Sequence, residues 1–454
     1  MPLNYNSNYL LKVLLHVLVG VLIYMNLTLA KVYFYVIFAI FLYRIVMSSQ
    51  ETKTIEVLKG CAYFVGAELL LRMTKGALFY ESSKYIIILF ACMGMFFRGI
   101  SGRGWPYFLY LMLLIPSIFV ASTTLSYDAN FRTNIAFVLS GPVCLGFASL
   151  FFYEKKITMK TLNKVLEYAL LPIVSVTAYI FLYSPSIKEV LNSTASNNAA
   201  SGGFGANQVA TILGLGIAIV IFRLFILSKS IEHKIINVII LALMSYRALI
   251  TFSRGGVITA VIVILIFIFF FFKSASRRKK LRVVFTVAAV LVITAMTWTV
   301  SSQKTSGFID LRYTNRDHMG REKQDITTGR AELFKNEIEG FLRSPFLGIG
   351  SSRAKDRRIE VEGQGVTSHS EFSRILAEHG LLGVAILTIL LLKPFYVRAI
   401  NPYNYYFYAF LAFWFLTINH STMRLAAPAF FYSLALLNVV NEKNPVHRKR
   451  IKVD

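Results

Sequence analysis

Apolar stretches recur along nearly the whole chain, separated by short polar and basic turns. With ~20 apolar residues as the length that crosses a bilayer, and shorter runs allowed for buried helices, about fourteen spans are predicted. They centre on 9–29, 30–48, 57–73, 84–98, 105–121, 134–153, 165–183, 206–228, 233–250, 256–273, 281–300, 372–393, 402–418 and 424–440. The first two are separated only around Ala30-Lys31. One long interruption, Ser301–Glu371, is polar, and it closes on Thr367-Ser368-His369-Ser370-Glu371-Phe372 as the chain turns apolar again. Within it Gly329–Arg343 has helical spacing, with Leu333, Phe334, Ile338, Phe341 and Leu342 on one face. Thr327 or Thr328 is expected to cap this helix, with Glu332 in its first turn. Pro345 ends it, and Phe346-Leu347-Gly348-Ile349-Gly350 is expected to turn back toward the membrane.

The pattern predicts an all-α polytopic membrane protein of about 12–14 transmembrane helices, with short helices in one large outer loop. The expected division is N-terminal helices over 1–200, core helices over 201–300, the loop over 301–371, C-terminal helices over 372–440 and a basic tail over 441–454. Composition agrees. Of 454 residues, 56% are hydrophobic, above the level usual for soluble domains. No small-residue cleavage site follows the first span, so no cleavable signal peptide is expected.

The net charge of +25 invites a nucleic-acid partner, but the charges are placed as topology signals. Arg98 and Arg103, Glu154-Lys155-Lys156 through Lys164, Lys273 through Lys280, Lys393 to Arg398 and the tail His447-Arg448-Lys449-Arg450 all fall in short inter-span segments. With the N-terminus inside, fourteen spans put every one of them on the cytoplasmic side. The same alternation puts Ser184–Asn207, Thr251–Gly256, 301–371 and Asn419–Met423 outside. Asn192-Ser193-Thr194 matches a glycosylation acceptor by chance pattern only. Cys61, Cys92 and Cys144 sit in apolar runs without metal or disulfide spacing and are expected to be small buried hydrophobes.

Candidate chemistry gathers at the outer segments. His369 stands just before a span, and imidazole is the side chain best poised to take a proton near neutral pH. Glu378 and His379 follow in the first turns of that span, as a functional group or as a structural pair. Arg254, in Thr251-Phe252-Ser253-Arg254-Gly255-Gly256, offers a planar fork for phosphate oxygens, and its glycines would let a ligand approach the backbone. Arg247, inside the preceding span, calls for an acidic partner or an anion. The loop adds Arg312, Arg316, Arg321 and Arg330, the last opposing the dipole of the helix it starts. No set of His, Cys, Asp or Glu has metal-ligand spacing. There is no nucleotide-binding loop, no Gly-x-Ser-x-Gly elbow and no Asp-x-Asp pair, so the chemistry would draw on an activated donor that is itself soluble in the membrane.

These residues resemble the O-antigen ligase and O-antigen polymerase superfamily of bacterial envelope glycan enzymes. Gly203-Phe204-Gly205-Ala206-Asn207-Gln208 looks like its glycine–asparagine lead-in to a span, and Ser253-Arg254-Gly255-Gly256 like its Ser-Arg-Gly signature. Gly329-Arg330 through Phe341, then Pro345 to Gly350, is similar to its loop helix and turn. His369, ten residues, Gly380-Leu381-Leu382-Gly383 is similar to the motif that ends the loop. The ligases' arginine–three residues–leucine motif is departed from at Arg330, where position 334 is Phe.

The resemblance implies a multi-pass protein of the bacterial inner membrane with its active face in the periplasm. It implies a glycan on undecaprenyl diphosphate as donor and neither metal nor cofactor. The acceptor would be a glycolipid such as lipid A-core or a growing glycan, with membrane lipids as neighbours and no nucleic acid. His369 would be the catalytic base. Arg254, Arg330 and Arg247 would bind the diphosphate, with Asn207, Glu378, Arg374 and Arg316 in support. Ligase, polymerase and protein O-oligosaccharyltransferase share this constellation and differ in acceptor. A transporter or flippase would share the composition, but would carry ionisable residues deep in several helices.

Overall fold

Helices form where the apolar runs predict them. The computed structural model describes residues 5–440 apart from 185, 187–192, 229, 324, 326, 328, 364 and 402. The basic tail, Asn192 and Thr328 therefore lie outside the described residues. In order the helices are α1 (Tyr5–Met25), α2 (Leu29–Met47), α3 (Gln50–Met73), α4 (Ser82–Arg98), α5 (Trp105–Leu114), α6 (Pro116–Thr124), α7 (Phe131–Phe152), α8 (Met159–Tyr183), α9 (Ala206–Ile226), α10 (Ile231–Ile250), α11 (Arg254–Ser274), α12 (Arg277–Lys304), α13 (Phe308–Tyr313), α14 (Arg330–Arg343), α15 (Arg353–Glu362), α16 (Glu371–Ile400), α17 (Phe407–Ser421) and α18 (Ala427–Ala435). Among the described residues, nine helical stretches are long and apolar enough to cross a membrane. The protein is an all-α polytopic membrane protein.

The predicted spans outside these nine fall on α1, α3, α4, α17 and α18, α1 being apolar over the shorter stretch Tyr9–Met25. α4, α17 and α18 are short, at 17, 15 and 9 residues. The span centred on 105–121 is two helices, α5 and α6, meeting at Pro116, whose ring suits the first turn of a helix and not its interior. α3 is long but charged, and it is buried along most of its length. Its charges pair at helical spacing or with neighbours: Lys59 with Glu56 at 2.6 Å, Arg72 with Glu68 at 2.7 Å and with Glu81 at 3.0 Å. Pairing is the physical condition for holding ionisable groups in such a place.

The two ends of the bundle sort the polar segments as the alternation predicts. At one end the Lys155 ammonium donates to the carbonyls of Arg98 and Gly99 at 3.0 and 2.8 Å, and Lys393 lies over the Tyr153 ring. There strand β1 (Lys156–Thr158) pairs in parallel with β2 (Asn438–Val440), with Ile157 opposite Val439. At the other end the four segments expected outside are bonded to one another. The Asn197 amide donates to the Thr251 carbonyl at 3.2 Å, Arg312 Nε to the Phe252 carbonyl at 2.9 Å, and Ser370 Oγ to Asn419 Oδ1 at 3.1 Å.

Candidate active site

Close helix packing sets the first wall of the site. A Cβ on Gly256 would stand 2.6 Å from the Thr211 amide, and one on Gly255 would stand 2.7 Å from the His420 ring. The glycines after Arg254 thus serve helix approach, and the expectation that they open the backbone to a ligand is corrected. α11 is drawn onto α9, so Asn207 at the head of α9 meets Ser253 at the head of α11. Ser253 Oγ donates to Asn207 Oδ1 at 3.0 Å, and Asn207 Nδ2 donates to the His420 carbonyl at 3.0 Å. Phe252, before them, holds a left-handed φ of 57° that its side chain disfavours. Arg312 secures the Phe252 carbonyl.

The second wall is the loop, locked into a break in α16. Gly380 interrupts that helix with φ 60° and ψ −136°. The Pro345–Gly350 turn fills the gap: Ile349 and Gly350 amides donate to the carbonyls of Ala377 and Glu378, and Leu381 donates to Pro345. The same turn rests on the other broken helix pair, where the Ser351 amide donates to the Ser117 carbonyl at 3.0 Å. α14 consequently lies along the start of α16, with Glu337 Oε2 accepting from Ser373 Oγ at 2.6 Å.

The buried side of α14 is therefore the polar one, at Glu337 and Gly340, while Phe334 and Leu342 of the predicted apolar face stay exposed. Its cap position is Gly329, with φ 78°. Thr327 accepts instead one residue further in, from the Ala331 amide at 3.3 Å.

Between these walls lies a cleft of about 260 Å³ lined by Arg330, Leu333, Phe334, Glu337, His369 and Asn419 among others. The imidazole of His369 has its Nδ1 buried without a hydrogen-bond partner among the described residues. Burial foremost, then the charges of Arg424 and Arg330, holds its pKa down to about 4. The ring is thus a neutral proton acceptor at pH 7. Arg330 is itself pushed down by burial and by Arg254, and Arg312 by burial, Arg254 and Arg330. Arg312, Arg330 and Arg424 make no ion pair among the described residues. Four guanidinium groups crowding one half-buried place raise each other's energy, and a bound anion would relieve all of them.

Sequence reasoning named Arg254, Arg330, His369 and Asn207, and the fold brings them together. Arg247 does not line this cleft: its Nη2 donates to the carbonyls of Phe181 and Ser184 at 3.2 and 2.9 Å, its guanidinium lies over the Phe181 ring, and its Nε and Nη1 are buried without a partner among the described residues. Arg316 is exposed, and Arg312 takes the inward place. Arg374 and Glu378 form a buried triad with Glu371 beneath the cleft, in which Arg374 bonds both carboxylates. Glu378 also accepts from the Ser352 amide, while His379 is buried and neither ring nitrogen is hydrogen-bonded to Glu378. Glu378 and His379 are therefore not a pair. Arg424 and Glu337 were missed. Arg424 sits one residue past the outer turn at Asn419–Met423, a position that could have flagged it. Glu337 reads in sequence as an ordinary surface position on an amphipathic helix. Among the described residues no three His, Cys, Asp or Glu side chains converge as metal ligands would.

The protein is thus a polytopic bundle with a polar loop locked over a cationic, histidine-bearing cleft. Residues 239–388 match the family model described as O-antigen ligase, so this part of the chain is a domain of the O-antigen ligase/polymerase superfamily. The matched stretch runs from α10 through the loop to the middle of α16, and includes Arg254, Arg330 and His369. No curated protein matches the chain.

Proposed function

We propose that the protein is an O-antigen ligase, moving a glycan from undecaprenyl diphosphate to lipid A-core at the periplasmic face of the bacterial inner membrane. The observation that carries this is that Arg330 and His369 line one cleft, with Arg254 close enough to Arg330 to disfavour its charge. All of these stand at the end of the bundle opposite the basic loops, which is the periplasmic end by the positive-inside rule.

In this mechanism the acceptor hydroxyl attacks the anomeric carbon as His369 takes its proton. The bond from that carbon to the diphosphate breaks, and its electron pair leaves on the diphosphate. Arg254 and Arg330, with Arg312, stabilise the charge that builds there. The anomeric centre passes through an oxocarbenium-like state. The displacement is direct, inverts the anomeric configuration and uses no metal. Asn207 orients the segment that carries Arg254 and the turn after α17. Arg247, Arg374, Glu378 and Arg316 have no place in the chemistry proposed.

Lipopolysaccharide from a deletion strain tests the acceptor. Loss of all long glycan from lipid A-core, restored by wild-type protein and not by His369→Ala, is expected. A single repeat left on the core would make the protein a polymerase. Normal lipopolysaccharide with unglycosylated envelope protein would make it a protein O-oligosaccharyltransferase. Transfer by purified protein without any ion gradient separates all three from a flippase.

A further inference from the structure

Behind the His369 cleft, on the far side of the Thr367–Ser370 segment, lies a second cavity. It is narrow and open at one side, with a cavity volume of about 30 Å³. Its walls come from the starts of α7 and α16, from α15 and from the turn after α17. The cations lining it are Lys355, Arg358, Arg374 and Arg424, and the carboxylates are Glu371 and Glu378. Arg374 is fully engaged with those two carboxylates and the Val138 carbonyl.

The other three cations are not balanced in this way. Arg358 is 4% exposed, gives Nε to the Val366 carbonyl at 2.8 Å and stands 3.6 Å from Glu337 through Nη1. Its Nη2 is buried with no partner among the described residues. Arg424 gives Nη2 to Thr367 Oγ1 and the Ser368 carbonyl, and its Nε is likewise buried without a partner. Among the described residues Lys355 reaches only the amide oxygen of Asn134, at 3.3 Å. Unmet buried donors on charged groups are costly unless something occupies the space they face.

We propose that this cavity is a binding site for a phosphate or carboxylate group, held by Arg358, Arg424 and Lys355 and carried by the acceptor saccharide. The role as acceptor site rests on the transfer reaction proposed above, whereas the anion site itself does not. The Thr367–Ser370 segment stands between the two spaces, so an acceptor anchored here presents its hydroxyl past that segment to His369. The leaving diphosphate stays on the other side, among Arg254 and Arg330. Acceptors bearing an acidic group would thereby be selected over neutral ones.

The test uses the full chain purified in lipid nanodiscs, with inorganic phosphate and glucuronate as separate probes and no donor or acceptor present. Binding of at least one is expected, and which one binds names the acid group. Arg358→Gln and Lys355→Gln should each weaken it about tenfold or more, the loss of one charge-assisted contact. Lys355→Gln disturbs little besides the Asn134 contact, so it answers even where Arg358→Gln fails to fold. Unchanged binding in a folded Lys355→Gln or Arg358→Gln variant overturns the proposal, as does binding of neither probe. In transfer assays the same variants should raise the acceptor KM about tenfold with kcat within about twofold. A fall in kcat with unchanged KM removes the acceptor from this site while leaving the transfer reaction standing.

Discussion

Leu381 donates its amide to the carbonyl of Pro345 at 2.7 Å, which seals the turn of the outer loop into the middle of a broken transmembrane helix. The bond exists because Gly380 leaves the helical path. A side chain at Gly380 meets two obstacles, a φ of +60° and a Cβ only 2.5 Å from the Pro345 oxygen. Gly380→Ala is expected to cost roughly 1–3 kcal/mol in backbone strain alone. The expected outcome is a loop released from its seat, cleaved several-fold faster by limited proteolysis within 301–370, and loss of transfer. Unchanged proteolysis would show that the break does not hold the loop.

His369→Ala should reduce transfer by about 10²–10⁴, the usual worth of general-base help. Protein level in the membrane should stay normal, because the ring is only half-buried and its Nδ1 has no hydrogen-bond partner among the described residues. Quantitative blotting beside an in vitro transfer assay checks both halves. Wild-type transfer by this variant refutes the assignment.

Arg254→Gln and Arg330→Gln should each cost roughly 10²–10³ in kcat, as loss of a preorganised charge contact does. Arg316→Gln should stay within about twofold, since that side chain is exposed at the loop surface. Arg247→Gln should instead lower the thermal unfolding midpoint, by freeing the carbonyls of Phe181 and Ser184, with transfer per folded molecule unchanged. The reverse pattern, with Arg247 essential to rate and Arg330 dispensable, would move the diphosphate to another place.

The pH dependence follows from the direction of the His369 shift. With its pKa held down to about 4, the ring is neutral across the ordinary range and becomes cationic only as pH falls through that value. The acid limb of kcat/KM, which reports the free enzyme, should therefore lie near 4, below the usual histidine value of about 6.5. A bound diphosphate counters the Arg330 charge, so the limb in kcat should move to higher pH. Rate profiles in nanodiscs decide this, and a kcat/KM limb at about 6.5 contradicts the electrostatic picture.

The span pattern was legible because bilayer length and apolar content are local properties, readable in windows. So were the outer segments, because basic residues report sidedness loop by loop. Arg254, Arg330 and His369 could be singled out because each stands beside a punctuating feature: two glycines, a helix start, a span start. What Arg247 meets is something that spacing cannot carry. The carbonyls at the end of α8, far away in the chain, take its Nη2, while its Nε and Nη1 are buried without a partner among the described residues. Arg374 and Glu378 looked functional as charges in a span and satisfy each other.

By itself, then, the sequence determined a many-span helical protein with one polar loop, and it offered a sidedness and a short set of candidate residues as expectations. Only the tertiary structure decided which of them share a cleft, that the loop is sealed into the break at Gly380, and that Arg424, Arg358 and Glu337 face inward. The reason is physical: periodicity and charge placement are written in neighbouring residues. The company a guanidinium keeps is set by contacts between helices distant along the chain, where close packing at Gly255, Gly256 and Gly348 admits one arrangement of backbones.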